Sequence, residues 1–263
     1  MKYSNQTLYL KTMKRKSFLI KLTRILIVFF LLFIWELLTR KGIINSFIYS
    51  SPSKIYLTIK KLCIEGNLFS HIFTTLYEVL ISFLLGGILG ILIAIIFYEY
   101  PTFSKIFEPF LVILNALPKV ALGPIILIIF GANIKSIIIM ALLINLIVTT
   151  LSMYNGFLNT DKIKIKLFKT FNANKFQTLT KLIIPSSYIT IISSLKLNIS
   201  LTLIGVITGE FLSCQKGIGY LIMYGSQIFD LDLVISGVFI LLIFSYLLYF
   251  IISKIEKKLI RED

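Results

Sequence analysis

Six stretches of the chain stay apolar long enough to cross a bilayer, which takes about 20 residues as a helix. The first, 22–39, holds the charge-free core ILIVFFLLFIW at 25–35, with Glu36 near its far end. The second, 76–98, is uncharged over 79–98, and its Gly86 and Gly90 form a small-xxx-small pair predicted to let another helix approach closely. The third, 107–130, is irregular: Pro109, Pro118 and Pro124 interrupt it and Lys119 sits inside it. The fourth is 136–158, the fifth 187–212 with Lys196 within it, and the sixth 233–253 without a charge. Runs of this length in hydrocarbon must satisfy their own backbone hydrogen bonds, so they are predicted as helices. The expected fold is all-α and integral to a membrane, with one domain over 22–253 between a basic tail at 1–21 and a short tail at 254–263.

The loops orient the spans. With the N-terminus inside, 18 of the 27 Lys and Arg residues fall on the N-terminal tail (Arg24 included), the 99–106 turn, 160–185 and the C-terminal tail. Seven fall on the opposite loops: Arg40, Lys41, Lys54, Lys60, Lys61, Lys135 and Lys216. That bias predicts both termini on the cytoplasmic side. Five of those seven lie in the outer loop 40–75, whose Ser53–Glu65 part reads as a short amphipathic helix on the surface.

Composition supports the membrane reading and narrows the partners. The 263 residues are 57% hydrophobic with a mean hydropathy of +0.92, well above a soluble domain. The net charge of +15 would suit nucleic acid, but the basic residues gather beside apolar runs, where anionic lipid headgroups account for them. No soluble basic module remains once the spans are removed, so nucleic acid is not an expected partner and membrane lipid is. Cys63 and Cys214 are far apart and match no metal or redox spacing, and both are expected as unpaired thiols. His71, the one histidine, is placed in an outer loop without a ligand cluster, so no metal site is expected. The first apolar run exceeds a signal-peptide core and lacks a small-residue cleavage site, so it is expected to stay as an anchor.

The segment between spans four and five, 160–185, is too charged to span and too regular for a plain loop. Leu167, Phe168 and Phe171 recur at helical spacing, Asn172 breaks the pattern, and Phe176, Leu179, Leu182 and Ile183 resume it until Pro185. Two short helices joined by a turn are predicted, with Asn172 suited to a left-handed backbone. On pattern alone this is either a docking element or a basic helix resting on lipid.

Ionisable residues inside spans cost at least ~2.5–3.5 kcal/mol mid-membrane, so Lys119 and Lys196 need partners, a wet cavity or an interface. They either line a route for an anionic solute, or snorkel to an interface or form internal ion pairs, with Glu210 or Glu108 as candidate partners. Pro118 and Pro124 free backbone carbonyls beside Asn115, which marks either a gate or a packing kink. Glu210, near the outer end of span five, reads as part of an outer gate or as half of a structural salt bridge.

No phosphate-binding Gly-x-x-x-x-Gly-Lys-Ser/Thr loop, Gly-x-Ser-x-Gly or His-Glu-x-x-His occurs, and no catalytic residue is assigned. Hydropathy leaves transporter, channel and scaffold open.

The 166–185 segment resembles the cytoplasmic motif of ABC importer permeases, written Glu-Ala-Ala, a short spacer, Gly, a longer spacer, then Ile-x-Leu-Pro. Pro185 matches the last proline, and Ala173-Asn174-Lys175 stand where Ala-Ser-Arg follows the glycine. Lys166, Leu167 and Phe168 replace Glu-Ala-Ala, and Asn172 replaces the glycine. Trp35-Glu36, Ser51-Pro52-Ser53, His71-x-x-x-Thr75, Asn115-Ala-Leu-Pro-Lys119-x-Ala-Leu-Gly-Pro124, Phe130-Gly131, Gly209-Glu210-Phe211 and Gly217-x-Gly219 follow in the expected order. Together they resemble the nitrate/sulfonate/taurine branch of these permeases, which includes transporters of thiamine-precursor pyrimidines.

The resemblance implies a type I importer permease of about six transmembrane helices in a bacterial plasma membrane. It implies that Thr170, Phe171, Asn172, Ala173, Asn174 and Pro185 belong to a segment that docks on a partner ABC ATPase subunit. Two copies of the chain, as a homodimer, would share one path, fed by an extracytoplasmic solute-binding protein. This subunit would need no cofactor, since ATP is used by the partner, and would not itself be an enzyme. Sulfonate, taurine, nitrate and a pyrimidine all remain open as cargo. The alternative is a secondary transporter or channel subunit without an ATPase.

Overall fold

The computed structural model describes residues 2–213 and 215–261, and the Cys214 expectation lies outside them. Among the described residues every regular element is helical. In chain order these are α1 (Lys2–Arg40), α2 (Ser46–Tyr49), α3 (Pro52–Ile64), α4 (Asn67–Glu99), α5 (Pro101–Ala116), a 3-10 turn (Lys119–Leu122), α6 (Gly123–Phe130) and α7 (Ile134–Leu158). There follow α8 (Lys162–Thr170), α9 (Lys175–Thr178), a π-helical turn (Leu179–Ile183), α10 (Ile184–Ser186), α11 (Tyr188–Ser213), α12 (Ile218–Gln227) and α13 (Leu231–Arg261).

Five helices, α1, α4, α7, α11 and α13, contain stretches long and apolar enough to cross a membrane, and α5 with α6 makes a sixth crossing if the bent pair counts as one. The pair meets at 90°, so the irregularity of 107–130 takes the form of a sharp break between α5 and α6. Pro118 removes a donor at the break, and Pro124 sits in the first turn of α6, where its missing N–H costs nothing. The basic stretch from Lys2 onward is helical and runs into α1 without a break, since no Gly or Pro interrupts residues 2–40. Likewise α13 runs on through the basic C-terminal stretch to Arg261.

The core is a three-helix layer with α7 in the middle, flanked by α4 and α11. Glycines set this spacing. A Cβ on Gly86 of α4 would strike the Asn145 side chain, and one on Gly90 would lie 2.7 Å from Thr149 Cγ2, both on α7. From the other side, a Cβ on Gly205 of α11 would lie 2.5 Å from Ala141 Cα, and one on Gly209 3.0 Å from Ile137 Cα. In lipid, where apolar surface is no reason to associate, such close approach supplies the packing energy. Hydrogen bonds add to it: Asn145 donates Nδ2 to Ser82 O of α4 at 3.2 Å and to Thr202 Oγ1 of α11 at 2.6 Å.

Helices α12 and α13 cover one side of this layer, and α3 packs on α13 and α4. The predicted surface helix at 53–65 is therefore partly in the core, with Ile55 buried. By contrast, the described side chains of α1 from Phe18 to Leu31 are all exposed. Near its end, Trp35 stacks on Phe239 at 6.1 Å, and Glu36 accepts from Ser53 N at 3.1 Å.

Candidate functional site

At one end of the bundle the 162–185 segment forms two short helices and a turn. Asp161 caps α8 by accepting from Ile163 N at 2.8 Å. The helix closes with Asn172 N bonded to Lys169 O at 3.0 Å and Ala173 N to Phe168 O at 3.1 Å, a Schellman pattern with Asn172 at φ 55°. Asn174 and Gln177 then cap α9 reciprocally: Gln177 N donates to Asn174 Oδ1 at 2.8 Å and Asn174 N to Gln177 Oε1 at 2.9 Å. Thr170 turns its hydroxyl back onto Leu167 O, Pro185 lies exposed in the first turn of α10, and Ala173 lines a hollow of about 300 Å³ with Tyr98, Lys169 and Ile183. Four large apolar side chains project from this basic segment: Ile163, Leu167, Phe171 and Phe176, 77%, 52%, 75% and 72% exposed.

The break between α5 and α6 carries a polar pair. Lys119 Nζ donates to Asn115 Oδ1 at 2.9 Å and to Asn115 O at 3.2 Å, so the lysine closes the last turn of α5 across Pro118. Neither Glu108 nor Glu210 pairs with it.

At the opposite end from the 162–185 segment, three sequence motifs converge. His71 Nδ1 accepts from Gly217 N at 3.0 Å, Thr75 Oγ1 accepts from Ile218 N at 2.9 Å, and Glu210 Oε2 accepts from Gly219 N at 2.5 Å. Thr75 Oγ1 donates in turn to Glu210 Oε1 at 2.6 Å. Three successive amides at the start of α12 are thus held by side chains from α4 and α11. They are the orphan donors of a helix N-terminus, and a carboxylate there is favoured by the helix dipole. His71 is not in a loop: it lies one turn into α4, buried, with its ring stacked on Tyr220 at 5.8 Å. Glu210 forms no salt bridge with a described residue; its oxygens are taken by Thr75 and Gly219. The fully buried Glu78 lies beside Glu210.

Lys196 finds another partner. Its Nζ pairs with Glu256 Oε2 at 2.8 Å and lies 5.0 Å from the Tyr249 ring centroid, tying α11 to α13 rather than to Glu210 or Glu108. Glu78, Glu256, Asn145 and Gly205 were not anticipated. For Gly205 and Gly209 the small-xxx-small spacing was the available signal. For Glu256, 60 residues from Lys196, there was none.

Residues 86–261 match the family of binding-protein-dependent transport system inner membrane components. The chain belongs to this family. It is the permease subunit of an ABC importer, and it resembles the sulfonate/taurine-type branch. A probable ABC transporter permease protein from Haemophilus influenzae is 31% identical over 87% of this chain and 93% of its own length. The putative aliphatic sulfonates transport permease SsuC of Bacillus subtilis is 26% identical, over 87% and 83% of the two chains. The formylaminopyrimidine transport permease ThiX of Halalkalibacterium halodurans is 30% identical, over 88% and 91%. Among solved structures, an inward-facing conformation of the MetNI methionine ABC transporter superposes with a TM-score of 0.65 at 16% identity, covering 73% of this chain and 95% of that one. That likeness establishes the type I importer permease fold of this multi-pass membrane protein.

Proposed function

We propose that this permease is driven by a separate ATPase subunit that grips the 162–185 segment and moves a small anionic or heterocyclic solute inward. The carrying observation is the exposed apolar ridge of Ile163, Leu167, Phe171 and Phe176 on a basic segment rigidified by a Schellman turn and a capping box. A segment resting on lipid headgroups would have no need of so stiff a turn. In this reading that end is cytoplasmic, as the surplus of Lys and Arg supports. The end bearing Gly217–Gly219 faces outward and receives a solute-binding protein. Two copies form one path as a homodimer, with the Asn115–Lys119 bend beside it.

The names of the relatives point to sulfonates or a formylaminopyrimidine as cargo classes. Closure of the ATPases around ATP would bias the bundle between two packings, and hydrolysis would reset it. The test is uptake into liposomes holding the permease, the ATPase of the same importer and its binding protein. Uptake should require all three and stop when Ala173 is replaced by Glu. Uptake that persists without the ATPase would overturn the reading in favour of a secondary transporter or channel.

A further inference from the structure

The clamp on Gly217–Gly219 is a second piece of machinery. His71, Thr75 and Glu210 come from two helices and hold three consecutive amides of a third element. The held loop forms one wall of a cleft of about 670 Å³ that His71, Lys216 and Tyr220 line. We propose that these three side chains are positioning residues that fix this wall for solute entry, and that protonation of His71 opens the clamp at its first point.

The chemistry follows from the ring. Nδ1 can accept the Gly217 N–H only through its lone pair, so the clamped imidazole is neutral and carries its proton on Nε2. An imidazolium presents N–H groups on both nitrogens and faces the amide donor to donor. Clamping therefore belongs to high pH and is lost as pH falls. The surroundings contain charges of both signs: Lys216 sits on the held loop, while Lys61 and Glu65 face the cleft from α3. Asp230 reaches it from the start of α13, and Glu210 lies behind Thr75 on α11. The remaining two points, Thr75 and Glu210, keep α12 in place, so release frees the Lys216–Gly217 end of the loop rather than the helix.

Transport provides the context of this proposal, but its test does not measure transport. The peptide bond after Lys216 is a trypsin site whose Gly217 N–H is the one His71 holds. In nanodiscs, cutting there is compared with cutting at the exposed Lys162, Lys164 and Lys166 as an internal standard. For the wild type the ratio should rise several-fold as the pH falls from about 8 to about 5. The rise should lie on the acid side of the range in which imidazoles change charge, because burial and then Lys216 disfavour the charged ring. His71→Asn keeps an acceptor at the Nδ1 position and cannot titrate, so its ratio should stay low at both pH values. His71→Ala should give a high ratio at both. A flat wild-type profile, or His71→Asn cutting like His71→Ala, overturns the proposal. Because His71 is the one histidine in the chain, 15N-histidine labelling of a protein without a histidine tag gives a check that needs no variant. A ring protonated on Nδ1 at about pH 8 would also overturn it. Either failure leaves the ATPase reading untouched, since uptake is not measured.

Discussion

Thr75 and Glu210 stand 135 residues apart in the chain and 2.6 Å apart in space, and the hydroxyl that donates to the carboxylate also accepts from Ile218. One oxygen thus serves three helices. Thr75→Val keeps the shape and removes both bonds, leaving a carboxylate oxygen and an amide short of a partner in a buried place. The expected loss is about 1–3 kcal/mol, read as a lower midpoint of thermal unfolding in detergent, with Thr75→Ser restoring most of it. A Thr75→Val protein as stable as the wild type would show that the hydroxyl contributes nothing there.

The contact of Gly205 with Ala141 predicts intolerance of size. Gly205→Val would force the backbones of α7 and α11 apart and should cost about 1–3 kcal/mol or more. Gly42→Ala makes a useful comparison, because a Cβ there meets nothing within 4 Å and only the positive φ of 70° opposes it. The thermal midpoints of the two variants should differ clearly, Gly205→Val being the lower.

The Lys196–Glu256 pair is partly exposed, at 26% and 16% of the two side chains, and is braced by Tyr249. Glu256→Gln leaves the lysine without its counter-charge and should destabilise the protein. Adding Lys196→Met to that variant should recover stability, so that the two changes are not additive in a double-mutant cycle. Additive effects would mean that the pair is incidental.

The turn at Asn172 predicts a specific tolerance. With φ at 55°, Asn172→Gly should keep coupled uptake, whereas Asn172→Val should lose much of it, since a left-handed backbone costs a β-branched residue about 1–2 kcal/mol. Asn174→Ala removes half of the capping box and should weaken the same segment by about 0.5–2 kcal/mol. ATP-dependent uptake in liposomes checks both, and equal uptake in Val and Gly variants would dissociate the turn from coupling.

The sequence made the helices legible because lipid imposes a length and an apolarity that hydropathy reads directly. The Asn172 turn was legible too, since the break in the apolar pattern falls on a residue that tolerates a left-handed backbone. What sequence could not place was set by tertiary contact. His71 sits in a stretch, Asn67–Thr75, too polar to belong to a span, yet α4 simply extends past the hydrocarbon: its 33 residues reach about 50 Å. Its link to Gly217, 146 residues away, leaves no local trace. Glu78, one turn beyond Thr75, was hidden for another reason, as a carboxylate at the edge of an apolar run looks like a boundary rather than a buried group.

Asn145 carries one more consequence. Surrounded by lipid, a bundle of Leu and Ile faces would be nearly as comfortable with one helix slipped by a turn, since neither arrangement exposes anything to water. Asn145 removes that degeneracy. Its amide reaches a carbonyl of α4 and a hydroxyl of α11 simultaneously, and a slip of either neighbour breaks one of the two bonds. Together with the close contacts at Gly86, Gly90, Gly205 and Gly209 and the Ser152–Ser194 bond, that side chain selects one register among the three helices.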